Sequence, residues 1–460
     1  MGIIFMMGIF YWINILENFT LIDFIFLGIY QGIYFGLFGL GFGLITRKTR
    51  FPAFVAAPCL WVAMEYLRSL GDFAALPWAF LGYSQYLNLT IIQISAVTGV
   101  YGVSFLIVMV NLILSEIVVY YANRRFPIEG KNWIRAPAII GAGVVGLSIL
   151  YGLVVMKNTL SSESMSIAVI QANIPQAVRW QPSFREQNFE KHAQLTRTAT
   201  KSARVALIVW PETAVQGSMS QNKDELARFS ELARATGAYL LVGSAERPKF
   251  RSNEVRTGAA ASNTAFLIAP SGEIAGRYDK IRLLPFGEYL PLKQFSWPSR
   301  IASSWSAGEF RPGTRYTVFN LEDTQFAVTI CWENIFPDLF RRFVKNGAKL
   351  MINITNEAWF GETAAPYQLM AMSVFRAVEN HVSIARAANT GISVFIDPMG
   401  RIVSKVKRGG KDIFVEGYRV ENVSVSSTNT FYTKYGDVFA KGCTAASLLL
   451  LLLPLLRSKA

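Results

Sequence analysis

The sequence predicts an α/β domain, with helices packed on sheets, joined to an α-helical membrane region. Three observations carry that prediction. Long apolar runs crowd the chain before about residue 157. After Ser161-Ser162-Glu163-Ser164 the pattern changes to short β-branched runs alternating with amphipathic helical stretches. A last apolar run, Cys443–Leu456, closes the chain.

Composition narrows the function. A 460-residue chain with 52% hydrophobic residues and a mean hydropathy of +0.30 is too apolar for an ordinary soluble enzyme. The net charge of +14 comes without a long Lys/Arg block or zinc-type spacing, and the basic residues sit beside apolar runs. Membrane topology therefore explains the charge better than nucleic acid, and no nucleic-acid partner is expected. Cys59, Cys331 and Cys443 cannot form a regular disulfide framework, so the Cys331 thiol reads as free. His192 and His381 are the only histidines, which leaves little material for a His-based triad or a multi-His metal site. No metal or cofactor is expected.

Apolar runs appear at about 3–16, 20–45, 51–70, 89–121 and 136–156, most near the roughly 20 residues that a bilayer helix requires. With the run at Cys443–Leu456 the expectation is six crossings. The first run has no basic lead and no small-residue cleavage site, so it reads as a span and not a signal peptide. Arg47, Lys48 and Arg50, then Arg124, Arg125, Lys131 and Arg135, then Arg457 and Lys459 would all lie on the cytoplasmic side. The large polar segment then lies on the opposite face. Glu65 and Arg68 stand three apart in the third run, where one helix face can pair them or Arg68 can snorkel.

The predicted division is a membrane region over 1–157, an α/β domain over 158–440 and a final membrane helix over 441–460. Strands are expected at Ser166–Gln171, Val205–Val209, Tyr239–Gly243, Thr264–Ile268, Phe326–Ile330, Lys349–Ile354, Val382–Ala387 and Ile392–Ile396. Helices are expected at about 183–202, 222–236, 336–346 and 363–380.

Three strand ends carry chemistry. An apolar run halts at Trp210-Pro211 and presents Glu212. A Pro/Gly-punctuated loop over Tyr278–Pro291 carries Lys280 and Glu288. The run FAVTICWE, Phe326–Glu333, stops at Cys331. Taken singly, each has a plain explanation: a solvated helix cap, a surface charge and a core thiol. Together they supply what acyl transfer needs without histidine. A thiol of pKa near 8.5 needs a base, a buried glutamate is a better base than an exposed one, and an ammonium stabilises both thiolate and oxyanion.

Glu in WPE, Lys in the DKIRLLPFGEYLP loop and Cys in CWE, in that order, resemble the Glu–Lys–Cys triad of the nitrilase superfamily. The loop Pro285–Pro291, the stretch Asn353–Gly361 (NITNEAWFG) and the flanking apolar runs bring the likeness closer to its apolipoprotein N-acyltransferase branch. The resemblance runs over nearly the whole chain. It implies a nitrilase-like α-β-β-α sandwich attached to transmembrane helices. It implies Glu212 as general base, Lys280 as oxyanion-stabilising cation and Cys331 as nucleophile. Glu288, Trp332 and Glu333 would support the site, and Trp180, Asn263 and Trp359 would shape the substrate cleft. The implied reaction is ping-pong. The thiolate takes the sn-1 acyl chain of a phospholipid such as phosphatidylethanolamine, and the α-amine of a lipoprotein's diacylglyceryl-cysteine then takes it from the thioester. The implied setting is a monomer in the bacterial inner membrane with its catalytic domain on the periplasmic face.

Tyr289, Phe295, Trp297, Trp305 and Phe310, set among basic residues, suit a membrane interface, a mobile lid or an ordinary packed loop, and Gly361 and Pro366 permit a second lid. Two departures stand out. The apolar runs are fewer than the family's usual set, as in an N-terminally incomplete sequence or a shortened variant, and Trp332 replaces the family's common tyrosine. The competing readings are a membrane-tethered nitrilase-type amidohydrolase, with water resolving the thioester, and a catalytically silent lipid- or lipoprotein-binding membrane protein. The absence of G-x-S-x-G disfavours a serine lipase.

Overall fold

A computed structural model describes residues 1–16, 19–49, 51–123, 135–157, 163–215, 217–247, 261–291, 310–322, 324–425 and 429–457. Phe295, Trp297 and Trp305, with Arg50, Arg124, Arg125, Lys131 and Lys459, lie outside the described residues.

The polar part is two six-stranded sheets face to face. The strands in chain order are β1 (Ser164–Gln171), β2 (Leu207–Val209), β3 (Tyr239–Glu246), β4 (Ser262–Ile268), β5 (Ile274–Asp279), β6 (Val318–Leu321), β7 (Thr324–Ile330), β8 (Leu350–Thr355), β9 (Ser383–Ala388), β10 (Val394–Ile396), β11 (Ile402–Lys405) and β12 (Gly417–Ser424). One sheet runs β12-β1-β2-β3-β4-β5 and the other β11-β10-β9-β8-β7-β6. Each is built on three parallel strands, β1-β2-β3 in one and β7-β8-β9 in the other, flanked by antiparallel additions.

Alternation along the strands makes the layers. Ile167, Val169, Leu207 and Val209 join the core between the sheets. Their neighbours Ala168, Ile170, Ile208 and Trp210 point outward, where Phe189 and Ala193 of one helix and Phe229 and Leu232 of another cover them. On the other sheet two further helices, Pro337–Lys345 and Ala365–Asn380, form the outer layer. The result is the expected α-β-β-α sandwich.

The helices in chain order are α1 (Gly2–Ile9), α2 (Leu21–Lys48), α3 (Ala53–Ser69), α4 (Val100–Asn123), α5 (Arg135–Met156), α6 (Arg185–Ser202), α7 (Lys223–Thr236), α8 (Pro337–Lys345), α9 (Ala365–Asn380) and α10 (Val438–Arg457), with shorter turns between them. Among the described residues three helices are long and apolar enough to cross a membrane, Leu21–Lys48, Val100–Val119 and Ala136–Met156. Six crossings are expected from the sequence, and the other three runs take shapes of their own. The first apolar run is an 8-residue helix, α1, that breaks at Phe10 into a 3-10 turn over Tyr11–Ile15. Its end turns toward the sandwich, where Trp12 Nε1 donates to Gln368 Oε1 of α9 at 3.1 Å. The third run, α3, is a 17-residue helix with Pro58 inside it. The fourth is split, with two short turns before α4. Helix α10, 20 residues long, carries the last apolar run.

Glu65 and Arg68 are buried, and among the described residues they form no ion pair with each other. Glu65 accepts from Trp61 Nε1 at 2.9 Å and from the Leu81 N–H at 2.8 Å, while Arg68 donates to the Trp78 carbonyl at 2.5 Å. Both fold the segment after α3 back on that helix, so neither the expected pairing nor snorkelling describes them.

Candidate active site

The three predicted strand ends converge. Glu212 follows β2, Lys280 follows β5 and Cys331 follows β7. These loops meet at the edge where the parallel strands of both sheets end, the place where α/β sheets gather functional loops. Lys280 Nζ lies 3.6 Å from Glu212 Oε1 and donates to Glu288 Oε1 at 2.9 Å. Asn263 of β4 bridges the same two carboxylates, its Nδ2 lying 2.7 Å from Glu212 Oε1 and 2.9 Å from Glu288 Oε1. The Asn356 N–H holds the other Glu212 oxygen at 2.9 Å. With Lys280 1% and Glu212 7% exposed, this is a buried charge cluster in which every member has a partner.

The local backbone explains the placement. Cys331 sits at φ +57 and Thr213 at φ +45, left-handed conformations that cost on the order of 1–3 kcal/mol for a residue with a side chain. Arg179, in the turn after β1, donates to the Glu212 carbonyl and, at 2.5 Å, to Thr213 Oγ1, tying down the Glu212 loop. Gly243 of β3 lets that loop approach, since a Cβ there would stand 2.5 Å from the Thr213 nitrogen.

Electrostatics follow from the cluster. Burial pushes the Cys331 thiol up to about 12, with Glu212 and Glu288 raising it and Lys280 and Thr355 opposing. Burial acts to lower the Lys280 pKa, but Glu288, Glu212 and Cys331 outweigh it, so the ammonium is held firmly charged. Burial raises the Glu333 carboxyl to about 7, against the hydrogen bonds it accepts. The resting site is thus a neutral thiol beside a carboxylate–ammonium–carboxylate cluster.

Two family models match the chain. Residues 166–421 match the carbon-nitrogen hydrolase family, and residues 1–113 match the apolipoprotein N-acyltransferase N-terminal domain. The apolipoprotein N-acyltransferase of Geobacter metallireducens is 37% identical over 397 residues, which are 85% of this chain and 72% of that protein. The chain belongs to the apolipoprotein N-acyltransferase family. The apolipoprotein N-acyltransferase of Chlorobaculum tepidum is 28% identical over 88% of this chain and 78% of its own. Among solved structures, a mutant Nesterenkonia AN1 amidase from the nitrilase superfamily aligns with a TM-score of 0.43 at 20% identity, over 62% of this chain and 96% of that one.

In this N-acyltransferase family member the remaining predicted residues fall into two groups. Glu288 belongs to the cluster and also accepts from the Leu284 N–H at 2.7 Å, fixing its own loop. Glu333 is fully buried behind it and accepts from Tyr278 OH at 2.9 Å, the Ile281 N–H at 2.7 Å and the Arg282 N–H at 2.9 Å. Trp332 donates to the Arg282 carbonyl at 2.6 Å and stands edge-on to Phe336. Glu333 and Trp332 therefore clamp the loop that carries Lys280. Trp180 and Trp359 are 48% and 45% exposed, on the turns after β1 and β8 at the same end of the sandwich. Sequence reasoning passed over Arg179, Gly243 and the Asn356 N–H. The first two stand in unremarkable stretches, and a backbone donor leaves no trace in a side-chain pattern.

Proposed function

We propose that this chain N-acylates the diacylglyceryl-cysteine at the N-terminus of lipoproteins, drawing the acyl chain from a phospholipid through a Cys331 thioester. The observation that carries this reading is the meeting of Glu212, Lys280 and Cys331 at one end of the sandwich, in a chain with membrane-length apolar helices.

In the first half-reaction Cys331 Sγ attacks the sn-1 ester carbonyl of the phospholipid, phosphatidylethanolamine being the expected donor, as Glu212 takes the thiol proton. Lys280 and the backbone N–H of Trp332 bind the oxyanion. Its collapse breaks the ester C–O bond, and the lysophospholipid leaves with the proton returned by Glu212. In the second half the lipoprotein α-amine attacks the thioester, Glu212 accepts the ammonium proton, and the expelled thiolate recovers it. Trp180 and Trp359 offer exposed aromatic surface to the lipid chains at the rim, and Asn263 holds Glu212 and Glu288 together. Both lipids are delivered laterally from the inner membrane, with the chain acting as a monomer, its sandwich on the periplasmic face and the ends of 1–157 and 441–460 bounding the membrane regions.

The match to the carbon-nitrogen hydrolase family over 166–421 favours a second reading, in which water resolves the thioester. Intact mass of membrane-reconstituted protein with phosphatidylethanolamine alone should show one acyl adduct, absent in Cys331→Ser. Adding a diacylated lipopeptide should move the acyl group to the peptide. No adduct on the wild-type chain overturns the thioester, and release of free fatty acid with no acylated peptide selects the hydrolase.

A further inference from the structure

The left-handed backbone at Cys331 needs a support that the reacting groups do not provide. The Cys331 carbonyl accepts from Asn353 Nδ2 at 3.2 Å, and the same amide group reaches the Thr329 carbonyl at 3.2 Å and Thr329 Oγ1 at 3.1 Å. Asn353 stands in β8 directly in register between Thr329 of β7 and Arg386 of β9. Its Oδ1 accepts from Arg386 Nε at 3.0 Å. A guanidinium has donors only, so it forces the amide oxygen toward itself and the NH₂ toward Cys331.

Arg386 also pairs with Glu357, and both side chains are 0% exposed. Glu357 Oε2 packs against Gly391, where a Cβ would stand 1.8 Å from it, so the carboxylate occupies space that only a glycine leaves open. The residue before it is Asn356, whose N–H holds Glu212 Oε2 at 2.9 Å. One buried ion pair is thus linked on one side to the backbone of the thiol and on the other to the carboxylate that faces it.

We propose that Arg386 and Glu357, acting through Asn353 and the Asn356 backbone, are positioning residues that set the relative placement of Cys331 and Glu212. The proposal rests on the acyl-transfer reading for what that placement serves. None of the three side chains touches a reacting atom. The ion pair sets the orientation of the Asn353 amide, and that orientation holds the strained turn at the end of β7.

Asn353→Asp is the sharpest probe. It keeps an acceptor for Arg386 Nε but replaces the donor facing the Cys331 carbonyl with an oxygen. In reconstituted full-length protein, single-turnover acylation of Cys331 by phosphatidylethanolamine should fall about 100-fold, the scale of a misplacement of about 1 Å. The phospholipid concentration giving half the maximal rate should stay near wild type. Arg386→Lys should give a similar loss, and the double variant no more than either alone, since the residues act as one unit. Melting curves fix the folded fraction, and rates are expressed per folded molecule. Alkylation of Cys331 by iodoacetamide across pH 7 to 10 gives a readout independent of acyl chemistry, and its profile should shift in both variants. Wild-type acylation rates per folded molecule with an unchanged alkylation profile overturn the proposal. A wild-type chain that forms no adduct sinks the acyl-transfer reading instead, while the alkylation profiles still decide the positioning role.

Discussion

At the scale of single residues, burial keeps the proposed nucleophile, Cys331, uncharged. Burial and the flanking carboxylates hold the Cys331 thiol near 12, well above an ordinary cysteine, so direct ionisation at neutral pH is negligible. Glu212 thus has opposite effects on two measurable quantities. Glu212→Gln removes an anion that opposes the thiolate, so alkylation of Cys331 by iodoacetamide at pH 9 to 10 should rise several-fold, while acylation by phospholipid should fall at least about 100-fold through loss of the base. Acylation that stays near wild type in Glu212→Gln would remove Glu212 from the base role. His192 gives a separate prediction about stability. It is buried against Trp210, and burial lowers its pKa from 6.5 to about 4. The folded state therefore resists protonation that the unfolded chain accepts. The resulting stabilisation is complete above pH 6.5 and is lost as pH falls from 6.5 through 4, up to roughly 3 kcal/mol. His192→Phe keeps the ring against Trp210, and its melting temperature should decline less steeply over that pH window than wild type. Equal slopes for the two proteins would dismiss the assignment.

At the scale of elements, the strands visible in the sequence and those that were not differ by position in the sheet. The eight expected strands are the interior ones, whose two covered faces demand continuous apolar runs such as Val205–Val209 and Phe326–Ile330. The four that went unseen, β5, β6, β11 and β12, are the edges of the two sheets. Residues such as Arg277 and Lys405 interrupt their apolar pattern because one side of an edge strand meets solvent. Missing β5 mattered, since it delivers Lys280, yet the Pro/Gly-punctuated loop beyond it was legible. Gly243 shows how an interior strand serves the site. A Cβ there would stand 2.7 Å from the Pro211 carbonyl and 2.8 Å from Glu212 Cα, all backbone that cannot yield cheaply. Gly243→Ala should cost about 1–3 kcal/mol of stability and lower acylation at least about 10-fold. A variant with full activity would show that the Glu212 loop adjusts freely. In the membrane region Gly28 and Gly32 of α2 play the same part for α1, where a Cβ would meet Met7 Cγ at 2.6 Å and Ile3 Cγ1 at 2.5 Å, a small-residue contact suited to helices in lipid.

At the scale of the whole molecule, the helical region is seated on the outer layer of one sheet and joined to it by specific bonds. Trp12 and Trp78 both donate to Gln368 Oε1, at 3.1 Å and 2.8 Å, and the Val100 N–H is held by Glu379 Oε1 at 3.0 Å, so α9 is shared between the sandwich and the apolar helices. Gln368→Leu leaves two indole N–H groups without that acceptor and should lower stability by about 1–3 kcal/mol, read as a drop in melting temperature. The proposed topology is testable on the same scale. In cells expressing a chain whose own cysteines are replaced by serine, a membrane-impermeant maleimide should label Glu273→Cys, in the exposed turn between β4 and β5, from outside the inner membrane. Lys48→Cys, at the end of α2, should label only after permeabilisation. Labelling of both from one side would overturn the orientation. The amino-acid sequence by itself determined the membrane character, the layered α/β domain, the family and the three strand-end groups. Apolar runs, strand periodicity and residue types beside prolines and glycines are local signals that survive without a fold. The tertiary structure alone decided that the first apolar run is a short helix turned toward α9, that Trp332 and Glu333 clamp a loop, and that a buried Arg386–Glu357 pair supports the turn at Cys331. Those outcomes depend on partners dozens to hundreds of residues apart, and a linear pattern carries no record of which distant donor meets which acceptor.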